Sequence, residues 1–592
     1  MKHKILFFLL PAALFFGCSG GGNKNKDKEA KGGLYYGGVF RVNEVEDFRN
    51  LYPLSVTEVV SQRIAGQVYE GLLKLSQKDL SVLPCLAEKW EVNDSATVFT
   101  FHLRKGVKFH DDACFPNGKG REVTTKDFKY CFNKLCEADP SNQGFWLFKN
   151  RVVGADEYYE STVQKKPLPE GVSGVKAIDD YTLQINLLYP FAGFTNILSH
   201  PFTWVFPHEA VEKYGLDMRV KCVGTGPFRV KEIKEGDAVI LTRNEEYWDV
   251  DEHGNQLPYL DAIKVTFIKE KKSELLEFKK GNLDMIYQLP VEMIGEVMGS
   301  LEDAKSDYAH FQFQITPAMI IQYYGFQHQG DVFKNKLVRQ AFNFAINRQK
   351  IVDYTLQGEG IPATHGIVPP SFKDYDVEGV KGYDYNPDKA KKLLAQAGFP
   401  NGKGFPSIKL QLNSGGSKNT QIAEVITAML KDNLNIKVDM DVMPFAQHLE
   451  NLETGKATFW RTGWVADYPD PENFLVLLYG PLVPPNLTDK SYVNSVRYKN
   501  PKYDALFESA RKEKDIKKRL ELYKQCDQVA MDDAAVMPIY YEENYRLLQE
   551  NVKNFDANAM EYRDFKSVYM IPADKMPKAK TPSESKKEAA KD

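Results

Sequence analysis

The sequence lacks most signatures of chemistry. It has no HExxH pair for zinc, no Walker-type phosphate loop and no glycine fingerprint of a dinucleotide fold. Its one GxSxG string, "GCSGG", follows directly on the leading apolar run, where no strand-turn-helix elbow can form. No CxxC occurs among the 7 cysteines, which argues against a structural zinc site. Charge of one sign is also missing: 77 basic against 80 acidic residues leave a net −3, with no basic stripe to follow phosphates, so nucleic acid is excluded as a partner. Nothing calls for a cofactor, and the chain is not expected to be an enzyme. "FHDD" (His110, Asp111, Asp112) contains metal-ligand types but reads better as a solvated turn after a strand. No apolar run is long enough to span a bilayer, which takes roughly 20 residues.

What is present is a chain of 592 residues, 43% hydrophobic and 27% charged, the composition of a folded protein too long for one core. It opens with "MKHK" and the 12-residue apolar stretch "ILFFLLPAALFF", the layout of an export signal over residues 1–17. Cys18 follows Gly17 and resembles a bacterial lipobox cysteine, which is lipidated and becomes the new N-terminus. Phe15 departs from the usual Leu, and an ordinary signal with a chance cysteine is the alternative. The lysine- and glycine-rich stretch to residue 37 reads as a flexible tether, and residues 573–592 as a solvated tail. Six cysteines then remain: Cys85, Cys114, Cys131, Cys136, Cys222 and Cys526. Export permits disulfides, and the sequence leaves their pairing open; Cys114, in the insertion-like "HDDACFPNGKGRE", is a candidate to pin that loop to Cys131 or Cys136.

The body alternates strand-like and helix-like stretches, the pattern of an α/β protein. "TVFTFHLR", "TLQINLL", "AVILTRN" and "AIKVTFI" read as strands. "NPDKAKKLLAQAG" reads as a helix with Asn386 as N-cap, Pro387 at the first position and Gly398 as its stop. "NKLVRQAFNFAINRQKIVDYTL" is an amphipathic helix or pair of helices.

One stretch stands apart. "FWRTGWVADYPDPENF", residues 459–474, sets Arg461 and Asp467 in an aromatic, strand-like setting, where buried charge is costly unless paired. Gly463 permits close approach of another backbone. Trp460 and Trp464 alternate with smaller residues on a strand, so at least one is expected to face core, and Trp464 is the expected pocket wall.

"SQRIAGQVYEGLLKL", "LPCLAEKWEVNDSATVFTFHLRKGVKFHD", "VTTKDFKYCFNKL", "GTGPFRVKEI", "FKNKLVRQAFNFAINRQKIV", "YNPDKAKKLLAQAGFP", "GWVADYPDP" and "AAVMPIYY", in this order, resemble the family-5 extracellular solute-binding proteins of bacterial ABC importers. The resemblance runs from about residue 38 to 570. It implies a type II periplasmic-binding-protein fold, two α/β lobes hinged over a ligand with an extra domain on the first. Residues 38–80, 178–316 and 541–572 would form the first lobe's main domain, 81–177 the extra domain and 317–540 the second lobe, with hinges at 315–323 and 538–541. It also implies an oligopeptide ligand, a membrane permease and ATPase as partners, a lipid anchor, a monomer, and an exported periplasmic or cell-surface address. A receptor for a nickel chelate, haem or oligosaccharide is the alternative, and a surface peptidase a weaker one.

By the same resemblance Asp467 accepts the peptide's α-ammonium and Arg461 meets a short ligand's carboxylate, while Glu58 and Val59 line the cleft from the first lobe. Phe145 or Trp146 leans over the ligand, Tyr540 and Tyr541 sit at the hinge, and Val465 joins the contacts although it, like Pro469, departs from the family pattern. Each residue has a plainer reading: Asp467 as the cap of its turn, Arg461 in a structural ion pair, the aromatics as ordinary core.

Overall fold

Asn386 and Gly398 bound a helix as their local chemistry requires. The helix covers Pro387–Gln396, Asn386 accepts the Lys389 N–H at 3.0 Å, and Gly398 takes φ +97° just past the end. These features belong to a computed structural model that describes residues 28–576, apart from 192, 295–296, 298–307, 309, 373 and 416. The expected signal, Cys18 and the tail beyond 576 lie outside the described residues.

Three larger sheets organise the chain. In the first, Phe228–Lys234, Ala238–Arg243, Ala262–Thr266 and Val39–Asn43 lie in that order, the last pair parallel. In the second, Met285–Tyr287, Val536–Leu548, Gln312–Phe326, Phe459–Val465, Ile408–Asn413 and Val438–Met443 follow one another, with Ile361–Pro362 attached to Val536–Leu548. Its parallel pair Ile408–Asn413 and Val438–Met443 is joined through the helix Ser417–Leu434, which buries Ile422, Ile426 and Leu430 along one stripe. The third sheet orders Ala87–Val92, Val98–Leu103, Thr182–Asn186 and Val175–Ala177.

Two long antiparallel strands, Gln312–Phe326 and Val536–Leu548, carry the chain between the sheet regions. Their pairing runs from Gln312↔Leu548 to Gly325↔Val536 and is irregular between Pro317 and Ile321 and between Gln322 and Tyr323. Pro317 cannot donate to the ladder, which is one physical reason for the break. On the first strand these irregularities lie within residues 315–323, and on the second they span 538–543, two residues past the expected 538–541.

Four expectations need correction. Thr182–Asn186 pairs with both Val98–Leu103 and Val175–Ala177, so the extra domain's sheet continues past residue 177 to 186. Residues 28–37 are not simply tether: Lys28–Glu29 pairs with Tyr35–Tyr36, and the Tyr36 hydroxyl donates to the Gln256 carbonyl at 2.8 Å. At the other end, Ala573–Lys575 forms a helical turn inside the expected tail. All six described cysteines are free thiols, so Cys114 pins nothing; Asp112 fixes its turn instead, accepting the Cys114 N–H at 2.8 Å. His110 is buried with Nε2 2.9 Å from the Gly226 carbonyl, and no cluster of metal-ligating side chains occurs among the described residues.

Candidate functional site

The strand Phe459–Val465 is paired along its whole length with Gln312–Phe326. On its other side only Phe459 and Trp460 find strand partners, Leu410 and Gln411. His448 Nε2 takes the Arg461 carbonyl at 3.0 Å, and burial, with the nearby Arg461 charge, holds that ring's pKa down to about 3, so it stays neutral there. Past this point, at residues 462–465, the strand's edge has no second strand beside it among the described residues. Unpaired backbone groups along such an edge are ready to accept an extended chain.

That edge faces a cavity of ≈ 260 Å³, which has Arg461 to Val465, Asp467 and Tyr492 on one side and Glu46, Glu58, Val59 and Gln62 on the other. A second cavity of ≈ 280 Å³ shares Glu46, Val59, Gln322, Arg461 and Val465 with it and continues to Lys418, Tyr540 and Glu542. A third, ≈ 80 Å³, reaches Asp467 from the side of Tyr69 and Trp204. Together they form one cleft between the segments expected as two lobes.

Asp467 sits 8% exposed where the first and third cavities meet. Its Oδ1 accepts from Gln62 Nε2 at 3.0 Å, and Asn473 Nδ2 stands at 3.5 Å from Oδ2. The Asn473 side-chain oxygen holds the Asp467 N–H at 3.0 Å and the Trp464 indole N–H at 2.8 Å. The one basic side chain paired with the carboxylate among the described residues is His200, whose Nε2 stands 3.4 Å from Oδ2. Asp467 therefore does not cap its turn: its oxygens point at Gln62 and His200, and Asp470 accepts the Glu472 N–H of that turn instead, at 3.0 Å.

Arg461 makes neutral hydrogen bonds, with Nη2 on Gln322 Oε1 at 2.5 Å and Nη1 on Asn413 Oδ1 at 3.2 Å; no carboxylate lies within ion-pair distance among the described residues, and the nearest acid to feel its charge is Glu46, which Asn413 also holds. Gly463 does admit a close neighbour, but that neighbour is Gln322, whose amide would lie 2.7 Å from an added Cβ. Trp464 lines the cleft against Tyr492, ring centroids 6.0 Å apart, whereas Trp460 is fully buried. Val59 and Val465 touch all three cavities. Glu58 lines the first; burial raises its pKa although the Ser61 hydroxyl and the Arg49 N–H donate to it.

Other expected contacts fall elsewhere. Phe145 stacks on Tyr159 at 4.1 Å and lines none of the three cavities, because its turn points it into the extra domain. Trp146 is one layer back, edge-on to His200 at 5.7 Å. Tyr540 and Tyr541 are neighbours on one strand and so face opposite ways. Tyr540 lines the cleft beneath Lys418, while the Tyr541 hydroxyl donates to the Gly366 carbonyl at 2.8 Å, away from it.

Sequence reasoning missed Gln62, His200, Gln322, Asn413 and Lys418. Lys418 pairs with the buried Glu359 at 3.1 Å; burial opposes its charge, but Glu359 and its neighbours outweigh that and raise its pKa. Asn473 alone carried a usable signal, lying inside the segment already singled out.

Residues 81–483 match the family described as "Bacterial extracellular solute-binding proteins, family 5 Middle". The chain belongs to that family. Among curated family-5 relatives, it is 28% identical to the periplasmic oligopeptide-binding protein OppA of Salmonella typhimurium over 517 residues, 86% of this chain and 88% of that one. It is also 28% identical to the heme-binding protein A of Haemophilus influenzae over 527 residues, 87% and 89% of the two chains. Among solved structures it resembles the ABC transporter-associated periplasmic binding protein DppA of Helicobacter pylori in complex with the peptide STSA, with a TM-score of 0.77 at 24% identity, covering 90% of this chain and 98% of that one. The fold of this family-5 protein is accordingly the two-lobed α/β type II binding fold, and its relatives are binding proteins rather than enzymes. No helix among the described residues is long and apolar enough to cross a membrane.

Proposed function

We propose that this family-5 protein captures oligopeptides between its lobes and delivers them to a membrane permease driven by an ATPase. One observation carries the reading. Asp467 presents a buried carboxylate to the cleft with two amide donors and one histidine around it, directly beside the unpaired edge at 462–465. A peptide supplies what both features lack, an ammonium for the carboxylate and a backbone for the edge. Arg461, held by two neutral side-chain oxygens, keeps charge for a ligand carboxylate. The cleft binds and does no chemistry; closure traps the ligand because the ligand touches both lobes.

We further propose that Cys18 anchors the exported chain by lipid and that it works as a monomer at the membrane. Cys18→Ser is expected to move the protein from the detergent phase to the aqueous phase. Mass spectrometry of co-purified ligands tests the main reading, with short peptides as the expected result. A second reading, haem, is favoured by the heme-binding relative alone; a haem absorption band in the purified protein, without peptides, would select it.

A further inference from the structure

Away from the peptide cleft, a further cavity of ≈ 370 Å³ opens between Asn150 and Tyr189 on the first-lobe side and Tyr479, Glu508, Arg511 and Lys512 on the second-lobe side. Behind it Arg151, 1% exposed, joins Glu472, fully buried, through an Nη2–Oε1 contact of 2.5 Å. Arg511 adds a second cation to the same carboxylate, its Nε 3.4 Å from Glu472 Oε1. One carboxylate thus answers two guanidinium groups.

The hydrogen bonds of this cluster are incomplete, with Glu472 Oε2 and several donors around it all left without a partner among the described residues. Arg511 is 4% exposed, yet its Nη2 has no hydrogen-bond partner within the described chain. The Tyr189 hydroxyl, on a residue 8% exposed, stands against the Arg151 guanidinium and meets no acceptor for its own proton among the described residues. Both residues line the cavity, and buried donors left unmatched are costly. Lys512, with Nζ 5.9 Å from the Tyr189 ring centroid, brings more positive charge. Glu508 is the one acid in the lining, and one of its oxygens is occupied by the Tyr479 hydroxyl at 2.8 Å.

We propose that this cavity binds a small oxyanion, a phosphate or a carboxylate, on Arg511 and Tyr189. A guanidinium matches an oxyanion through paired N–H donors, and the tyrosine hydroxyl adds a third donor. Because the lining comes from both sides of the molecule, an occupant favours the closed arrangement of the lobes by differential affinity. This inference does not depend on what the peptide cleft holds.

Inorganic phosphate, acetate and chloride at matched ionic strength are titrated into the purified chain while its melting temperature and radius of gyration are followed. Phosphate or acetate is expected to raise the melting temperature and compact the ligand-free protein beyond the effect of chloride. Tyr189→Phe is expected to weaken the apparent affinity about tenfold, and Arg511→Met to abolish the response. Phosphate acting alone assigns a phosphate site, acetate acting alone a carboxylate site, and both acting a site for either. If neither exceeds chloride, or if the response survives in both variants, the proposal fails. Should Arg511→Met not fold, Tyr189→Phe decides, since it removes one oxygen and keeps the ring.

Discussion

His200 holds Asp467 from behind. Its Nδ1 accepts the Phe202 N–H at 3.1 Å, so the neutral ring carries its proton on Nε2, which stands 3.4 Å from Asp467 Oδ2. The approach is too poorly aligned for a hydrogen bond, and Nε2 has no other partner among the described residues. The ring attracts the carboxylate without satisfying it, leaving room for a stronger donor.

His200→Phe is therefore expected to keep the aromatic packing against Trp146 and Phe202 while loosening the carboxylate. Affinity for a peptide with a free amino terminus should fall roughly fivefold, about 1 kcal/mol, the usual size of one weak polar interaction. Calorimetric titration checks it, and an unchanged dissociation constant would count against the positioning role.

Glu472→Gln tests closure. Glu472 falls in the segment expected as the second lobe and Arg151 in that expected as the extra domain, both buried, so neutralising the acid leaves Arg151 and Arg511 without their shared carboxylate. Breaking such a pair costs about 3–5 kcal/mol, here charged to the closed form. The ligand-free variant should expand in small-angle scattering and bind ligand more weakly with every cleft contact intact. An unchanged radius of gyration would show that the pair does not govern closure.

Local chemistry was legible in the sequence where one segment settles its own structure. Asn386 and Gly398 bound their helix, the four strand readings fall on observed strands, and Asn335 and Asn347 split "NKLVRQAFNFAINRQK" into two capped helices. The site was legible in one segment through Asp467, Arg461, Trp464 and Val465, and outside it through Glu58, Val59 and Tyr540. Gln62 reaches Asp467 across 405 residues of chain, and no local pattern announces that contact. Phe145 and Tyr541 were misplaced for a different reason. Composition marks an aromatic as buried, but only the strand's alternation or the turn's direction says against what.

Arg461→Met should act on the other end of the ligand. Loss of the guanidinium is expected to weaken peptides with a free carboxylate about tenfold and C-terminally amidated ones much less. Titrating both forms of one short peptide measures the difference; an equal loss for both would reassign Arg461 to holding Gln322 and Asn413.

The buried His110 gives a pH prediction. Burial lowers its pKa from 6.5 to about 4, with Arg229 reinforcing the shift and the Gly226 carbonyl, Asp111 and Asp112 opposing it. The unfolded chain then takes up the proton first, so this group's contribution is complete above about pH 6.5 and is lost as pH falls towards about 4. His110→Gln should flatten the fall in stability between pH 7 and pH 4 by up to about 3 kcal/mol. Urea unfolding of both proteins across that range would show it, and parallel curves would mean the ring is not buried neutral.

The central claim is that Asp467 receives a ligand ammonium. Asp467→Ala should leave the fold intact and weaken binding of a co-purified peptide by about 2–5 kcal/mol, the loss seen when one partner of a buried charge pair is removed. An N-acetylated version of that peptide should bind the wild type poorly and lose little more in the variant. Calorimetric titration of both peptides against both proteins closes a double-mutant cycle. A coupling energy of more than about 1 kcal/mol between Asp467 and the peptide's amino terminus is the predicted result; a coupling energy near zero would contradict the account.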